Sequence, residues 1–477
     1  MNRKYCFFFS TAMLFTLFFS GCAPRQEMLK EDALMAAGEY REAAEYARSN
    51  IDGEDRYDID NLLWYLQSGS ALLFVQENSE SIQAFDESEA LMKHYREQIL
   101  ASDISQTLRS TLLNDTTRPY IGAEYDGIMV NTYKAIDYMS LGDMDAARVE
   151  FNRAIDRQRR AKEFFAQMIE KERQAIQKKE EEERSGGEEL HLSKTMNNPA
   201  IKTRLQQSYP SLYAFEPYPD FINPMTTYLA GIFAMADDNY GKAETLLKEA
   251  YGMMSDNADV EADFQSILSL LDSGQKEMEP MVWVIFENGQ APLLEEWRID
   301  LPVFIVSSHL NYISVALPRL TEREKAFDAL DIVINGDEHI TTGHLCSMDR
   351  VIKTEFKKQY ESILRRAIFS MVTKTTIQYT LQEQGHNNNT AALLGLLATI
   401  YQVATTQADT RIWSTLPKEF QLTRFARPND GKVRITTPQG KVLSQIELPK
   451  REHLLVYVKI ATPSAVPSVS VIPFGRR

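Results

Sequence analysis

Residues 133–158 read YKAIDYMSLGDMDAARVEFNRAIDRQ, and this stretch decides how the first half of the chain is interpreted. Small and aromatic residues recur at helical spacing on both sides of a turn at Gly142 and Asp143. Residues three, four or seven positions apart share one helix face, so they can pack against a neighbouring helix. Here they are Ala135 and Tyr138 before the turn, and Ala147, Phe151 and Ala154 after it. The stretch predicts two closely packed antiparallel helices.

The same arrangement of small and large residues recurs three more times. The matching positions are Gly38, Tyr40 and Ala43; Gly69, Leu72, Ser81, Phe85 and Ser88; and Gly231, Ala234, Tyr240, Ala243, Leu247 and Ala250. The small residues at 43, 81, 147 and 243 are 38, 66 and 96 positions apart, whereas tandem tetratricopeptide repeats recur about every 34 residues. The chain resembles a degenerate, interrupted set of such repeats, which implies an all-α solenoid with a concave surface. A generic helix bundle is the alternative.

The pattern changes from helical to strand-like near residue 275. Short β-branched and aromatic runs bounded by turn residues begin at Met281. We therefore predict an α+β, multidomain chain, with a TPR-like helical domain over residues 22–275 and an α+β domain with an antiparallel sheet over 280–477. Residues 157–200 are predicted to be a charged helical excursion, either a solvated helix or a partner-binding coiled segment.

The second half is predicted to contain a pair of long helices and several strands. Ser347 is a good N-cap for a helix over residues 348–384, and Asp349 complements its dipole. Residues 390–404 form a second, almost wholly apolar helix, which at 15 residues is short for a membrane span of about 20. We expect it to be buried in the protein; contact with lipid or a membrane partner is the alternative. Residues 433–448 predict a hairpin, and 454–460 a half-buried strand.

The N-terminus has the features of an exported lipoprotein. Arg3 and Lys4 precede an apolar stretch that ends at Ser20-Gly21-Cys22, as in a secretory signal peptide. The combination resembles a bacterial lipoprotein precursor, which implies cleavage after residue 21 and a lipid on Cys22. The whole chain is also similar to a family of long, uncharacterised envelope lipoproteins. By the same resemblance, Ala23 favours the outer membrane, where buried acyl methylenes would hold the protein.

Charge and composition exclude some classes of partner. The formal net charge of −15 argues against nucleic-acid binding, because such proteins carry a basic surface. No phosphate-binding glycine loop, nucleophile elbow, zincin motif or C-x-x-C pair is present, so we expect no cofactor and no catalytic site. Cys346 is expected to be a small buried apolar residue rather than a nucleophile.

Two clusters of polar residues do not have the pattern of a metal site or a catalytic site. His339, His344 and Cys346 match no familiar zinc spacing, and a strand would place His344 and Cys346 on one face with His339 on the other. Glu295 and Glu296 adjoin Trp297, but adjacent strand carboxylates point to opposite faces and seldom act as a pair. We expect no metal site.

The sequence as a whole favours a non-enzymatic outer-membrane lipoprotein that holds envelope protein partners and faces the periplasm. Helical-hairpin solenoids present an extended surface suited to a peptide or another protein. Two alternatives remain open: a structural component of an envelope export complex, and a hydrolase acting on peptidoglycan or glycan. The partner's identity does not follow from the sequence.

Overall fold

A computed structural model describes residues 23–101, 119–185, 199–219, 221–273, 278–302, 312–385, 407–450 and 453–475. The predicted signal peptide at 1–21, the lipid attachment at Cys22 and the apolar helix at 390–404 lie outside these ranges. Residues 157–185 of the charged excursion are helical, and residues 186–198 lie outside the description.

The described chain is helical up to Ser273 and mainly strand from Met281. The helices are α1 (Ala23–Ala37), α2 (Tyr40–Ser49), α3 (Leu62–Phe74), α4 (Asn78–Ala101), α5 (Glu124–Ser140), α6 (Met144–Ser185), α7 (Pro199–Ser208), α8 (Pro210–Tyr213), α9 (Pro224–Ala236), α10 (Tyr240–Met253), α11 (Ala258–Ser273) and α12 (Met348–Gly385), with a 3-10 turn at Ile59–Asn61. The predicted cap of α12 is present, because the Arg350 amide donates to Ser347 Oγ at 3.2 Å. Helices and sheets in one chain make the fold α+β, as predicted.

Four helix-to-helix turns share one backbone conformation. A residue with positive φ lies five positions before each small residue at 43, 81, 147 and 243: Gly38, Gln76, Gly142 and Asp238. In each turn the next amide donates back to a carbonyl five residues earlier, as Asp143 N does to Tyr138 O at 2.9 Å. This is the hydrogen bond that ends helices through a left-handed residue. Two of the four turns therefore form without glycine, which a search for turn signals does not detect.

Small residues face large ones between the helices of two hairpins, and a third hairpin has the same pair of residue types. A Cβ added at Gly69 would lie 2.6 Å from the Phe85 ring, and one added at Gly231 would lie 2.9 Å from a Leu247 methyl. Ala135 and Phe151, separated by the same 16 positions, are both buried. Ala43, Ala147, Ala154, Ala243 and Ala250 are fully buried, and Tyr138 is half-buried. Close packing of this kind leaves no space for an added methyl group.

The strands form two sheets and a hairpin. They are β1 (Met281–Asn288), β2 (Leu293–Pro302), β3 (Tyr312–Thr321), β4 (Asp331–Ile334), β5 (Glu338–Thr341), β6 (Gly343–Ser347), β7 (Glu419–Ala426), β8 (Lys432–Thr436), β9 (Val442–Glu447), β10 (His453–Ile460) and β11 (Ser468–Phe474). The larger sheet has the order β11-β10-β1-β7-β6, and the smaller has the order β5-β4-β8-β9. All pairings are antiparallel except β1 with β10, which are parallel, so the larger sheet is mixed.

The second half of the chain packs on α3, α5 and α9, which are the first helices of three hairpins. Every residue of α9 is buried, and in α3 only Tyr65 is not. Ser70 Oγ of α3 lies 2.8 Å from Thr415 Oγ1, just before β7. The Trp413 ring lies 5.9 Å from the Tyr133 ring of α5. The inner surface of the helices, which we expected to be open, is thus covered by the chain's own second half.

One strand prediction was wrong, because the strand is buried on both faces. Residues 454–460 were expected to be half-buried, but every one of them is buried. Strand β10 is interior to its sheet, with the helices on one face and the smaller sheet on the other. In the segment after α8, Tyr218 is buried, and its hydroxyl accepts the Ser347 amide at 3.0 Å.

Candidate functional site

A cavity of about 180 Å³ lies where the helices meet the second half of the chain. Its walls come from the segment leading into α5, the middle of α6, the first half of α12, the β2–β3 hairpin and the loop before β7. The apolar part of the lining consists mainly of Phe164, Phe165, Met168, Ile169, Leu294, Leu320, Ile352, Phe356, Ile363 and Ile412. Several of these side chains on α6 remain partly exposed, so the cavity is a feature that a partner could reach.

The Glu355 carboxylate of α12 forms part of the cavity wall and caps α5. Its Oε1 accepts the Glu124 amide at 2.9 Å, and its Oε2 accepts the Tyr125 amide at 3.3 Å. These amides belong to the first turn of α5, where the unpaired N–H groups and the helix dipole favour negative charge. Burial opposes this effect and prevails: it raises the pKa of Glu355 to about 8, with the nearby Glu124 charge as a second cause.

Two further carboxylates surround the same helix end. Burial raises the pKa of Glu124, although Arg96 opposes the shift with Nη2 at 3.0 Å from Oε1. Asp126 accepts the Tyr120 hydroxyl at 2.5 Å and the Ala123 amide at 2.8 Å. Burial nevertheless raises the pKa of Asp126 to about 7. Burial thus raises the pKa of all three carboxyl groups around this helix end above the ordinary range of such groups.

Two ion pairs also line the cavity. Arg366 of α12 and Glu172 of α6 are 2.8 Å apart, and both are buried. Arg411 pairs with Asp409 at 2.9 Å in the loop before β7. Apolar walls with a few convergent polar groups are typical of binding sites. The arrangement can hold one bulky apolar group beside the Glu355 carboxylate, whose oxygens accept main-chain N–H groups.

None of the predicted repeat-packing residues lines this cavity. Gly38 and Gly142 form turns, and the others pack between helices, as described above. The cavity residues come from five chain segments, and the first and last of these lie more than 280 positions apart in the sequence. No local motif joins the segments. Three predicted features contribute to it all the same: the charged excursion over 157–200, the helix over 348–384, and the strand residues beside Glu295 and Glu296, of which Leu294 lines the cavity.

The polar cluster of His339, His344 and Cys346 is dispersed in the structure. His339 Nδ1 lies 2.6 Å from Asp331, whereas His344 Nδ1 lies 3.5 Å from Glu419 on the other sheet. A bulge between His344 and Cys346 turns Cys346 into the core, so the expectation that they share a face was wrong. Burial raises the pKa of the Cys346 thiol to about 12, which disfavours a thiolate.

Neither a family model nor a curated protein matches this chain. Within the described ranges, no helix combines the length and apolar character needed to cross a bilayer. Among the same residues, no three His, Cys, Asp or Glu side chains are grouped so that they could hold a metal ion.

Removing the carboxylate that caps α5 should change how stability depends on pH. The folded-state pKa of Glu355 is raised to about 8, above an unfolded value of about 4.3. The folded state then binds one proton more than the unfolded state between these values, so this group's contribution to stability falls as pH rises through the window. Glu355→Gln should remove up to about 1.4 kcal/mol per pH unit of that slope.

Urea denaturation of both proteins from pH 5 to pH 9 measures the effect. The variant should gain stability relative to the parent as pH rises, because glutamine stays neutral while still offering an acceptor to the Glu124 amide. Asp126 is present in both proteins, so its own titration largely cancels in the difference. Parallel pH profiles would show that Glu355 keeps an ordinary pKa.

Proposed function

We propose that this chain is a non-enzymatic, lipid-anchored outer-membrane protein that acts as a scaffold or adaptor by binding another envelope protein. Cys22 would carry the lipid, and the described body would lie close to the membrane because α1 begins at Ala23. The signal-like N-terminus supports the location. The cavity where the helices meet the second half of the chain, the junction cavity, supports the binding role.

The finer form of the fold belongs to the same proposal. We infer that the helices up to Ser273 are a degenerate tetratricopeptide-like solenoid. Four turns with a left-handed residue at one offset support this, as do three small–large pairs 16 positions apart. In this interpretation the solenoid acts as a frame around the sheet, because its inner surface is already covered.

The junction cavity is the observation that carries the binding role. Interfaces depend on a few bulky side chains seated in well-packed pockets, with weaker contacts around them. A cavity of about 180 Å³ with mainly apolar walls and a few charged groups provides such a pocket. Two long helices and a hairpin form three of its five walls, and they hold the pocket in place more firmly than loops alone would.

Site-specific photo-crosslinking in intact cells tests the proposal. A benzoylphenylalanine replaces Phe164, a half-buried cavity residue of α6, and in a matched control it replaces Val149, an exposed residue of the same helix. We expect one discrete adduct with an envelope protein from position 164 and none from position 149. The position-164 reporter in a Cys22→Ala chain should leave the membrane fraction and lose the adduct.

Three outcomes would contradict the proposal. Equal labelling from both positions would mean non-specific proximity, and no labelling from position 164 would remove the binding site. Release of soluble peptidoglycan fragments by the purified protein would favour the hydrolase alternative.

A further inference from the structure

We propose that the junction cavity receives a single bulky apolar side chain that carries or directly adjoins a cationic group, as when an aromatic or long aliphatic residue lies beside a lysine or arginine of the partner. This inference rests on the proposed binding function and specifies the chemistry of what is bound. Three observations support it: the size of the cavity, the nature of its walls and the state of its charges.

The cavity volume matches one side chain. A cavity of about 150 Å³ lined by apolar residues is large enough to bind benzene. Sites for drug-sized ligands are typically about 300–1,000 Å³. At about 180 Å³ this cavity has room for one aromatic ring or one branched aliphatic group. The occupant is therefore a single anchoring group and not a glycan or a folded peptide.

The walls favour an apolar occupant. Phe164 and Met168 of α6 line the cavity together with Ile352, Phe356 and Ile363 of α12. Water held between such walls would find few hydrogen-bond partners, so an apolar group that displaces it gains free energy. Methionine and aromatic side chains are also common where a protein accommodates a partner's apolar anchor.

The charges select a cation. Four carboxyl groups border the cavity, and Glu172 and Asp409 are already paired with Arg366 and Arg411. Arg96 pairs with Glu124 from outside the cavity wall. That leaves Glu355, which accepts only main-chain and amide N–H groups and has no ion-pair partner among the described residues.

A cationic occupant would supply the missing charge. The groups near Glu355 include Glu124, Tyr125 and Asp126 from α5 and Gln359 from its own helix, with Arg96 acting through Glu124. An ammonium group beside Glu355 favours its ionised form and offsets the repulsion from the other two carboxyls. Binding of the cation therefore releases the proton that this site otherwise retains at neutral pH.

Three fluorinated probes of one shape separate these contributions. They are 4-fluorophenethylamine, 4-fluorophenylacetamide and 4-fluorophenylacetate, which carry a cation, a neutral amide and an anion. Binding to the full-length lipidated protein in nanodiscs is followed by fluorine NMR. Met168→Trp, which fills the cavity, serves as the reference, so that partition into the lipid cancels.

The expected order at pH 9 is amine over amide by about tenfold, with the carboxylate weakest. Lowering the pH to 6 should weaken the amine about tenfold or more while leaving the amide unchanged, because Glu355 takes up a proton. Glu355→Gln should remove the preference for the amine but keep the amide bound, which separates lost charge from lost folding.

Equal affinities for the three probes would overturn the inference, and so would binding that persists in Met168→Trp. These results are independent of the crosslinking experiment. A specific adduct from position 164 combined with equal probe affinities would retain the binding function and reject the cationic ligand. Selective probe binding without an adduct would retain the preference for a cationic ligand and reject the binding of an envelope protein.

Discussion

Replacing Lys459 by methionine should lower the free energy of unfolding by about 3–5 kcal/mol, the usual cost of leaving one charge of a buried ion pair without its partner. Lys459 Nζ lies 3.3 Å from Glu287 Oε2, and neither side chain is exposed to solvent. The two residues are register partners on the parallel strands β10 and β1. Burial lowers the pKa of Lys459, and the Glu287 charge opposes that shift.

Methionine resembles the apolar stem of lysine, but it carries no positive charge to compensate the Glu287 carboxylate. Lys459 Nζ also donates to the Gly289 carbonyl at 3.1 Å and lies 5.3 Å from the centre of the Phe74 ring. The Tyr457 hydroxyl donates to Glu287. The remaining carboxylate would keep that hydroxyl donor and lose its only ion-pair partner among the described residues.

The double variant Glu287→Gln with Lys459→Met is the decisive control. It removes both charges while keeping an acceptor for the Tyr457 hydroxyl, so most of the loss should be recovered. Arg41→Met breaks an exposed pair with Glu77 and should cost less than about 1 kcal/mol. Chemical denaturation followed by tryptophan fluorescence measures all three. A double variant as unstable as Lys459→Met would mean that lost packing, not an unpaired charge, causes the effect.

The sequence predicted the parts of the fold that depend on local pattern. The helical first half, the cap at Ser347 and the strands after Met281 follow from periodicity and turn chemistry, which act over a few residues. Helix α12 was expected over 348–384 and is found at Met348–Gly385. Cys346 was expected to be buried, and it is.

Features that depend on distant chain segments could not be predicted in the same way. Lys459 occupies a polar position of an alternating strand, which normally faces water, and only the covering helices make it a buried charge. Glu355 is one of many acidic residues in a helix until α5 is placed against it. Both sites arise from tertiary packing, for which one sequence carries no local signal.

The Phe85 ring joins the repeat-like packing to the second half of the chain, and Phe85→Ala should cost about 3–5 kcal/mol. Phe85 has no exposed surface and lies against Gly69 of α3. Its ring centre is 5.9 Å from that of Tyr133 and 6.0 Å from that of Trp413. Alanine would leave a cavity among three elements that cannot easily close together, and urea denaturation measures the loss.

A second substitution distinguishes this contact from a general loss of apolar burial. Gly69→Ala alone should destabilise by about 1–3 kcal/mol, because its methyl group would overlap the Phe85 ring. In the Phe85→Ala background the same methyl group would enter vacated space, so its effect should shrink or become stabilising. Gly241→Ala serves as the reference, since this helical glycine has nothing within 4 Å of an added Cβ. If the effects of Gly69→Ala and Phe85→Ala simply add, the two residues are not in the contact described, and the small–large pairing does not hold the α3–α4 hairpin together.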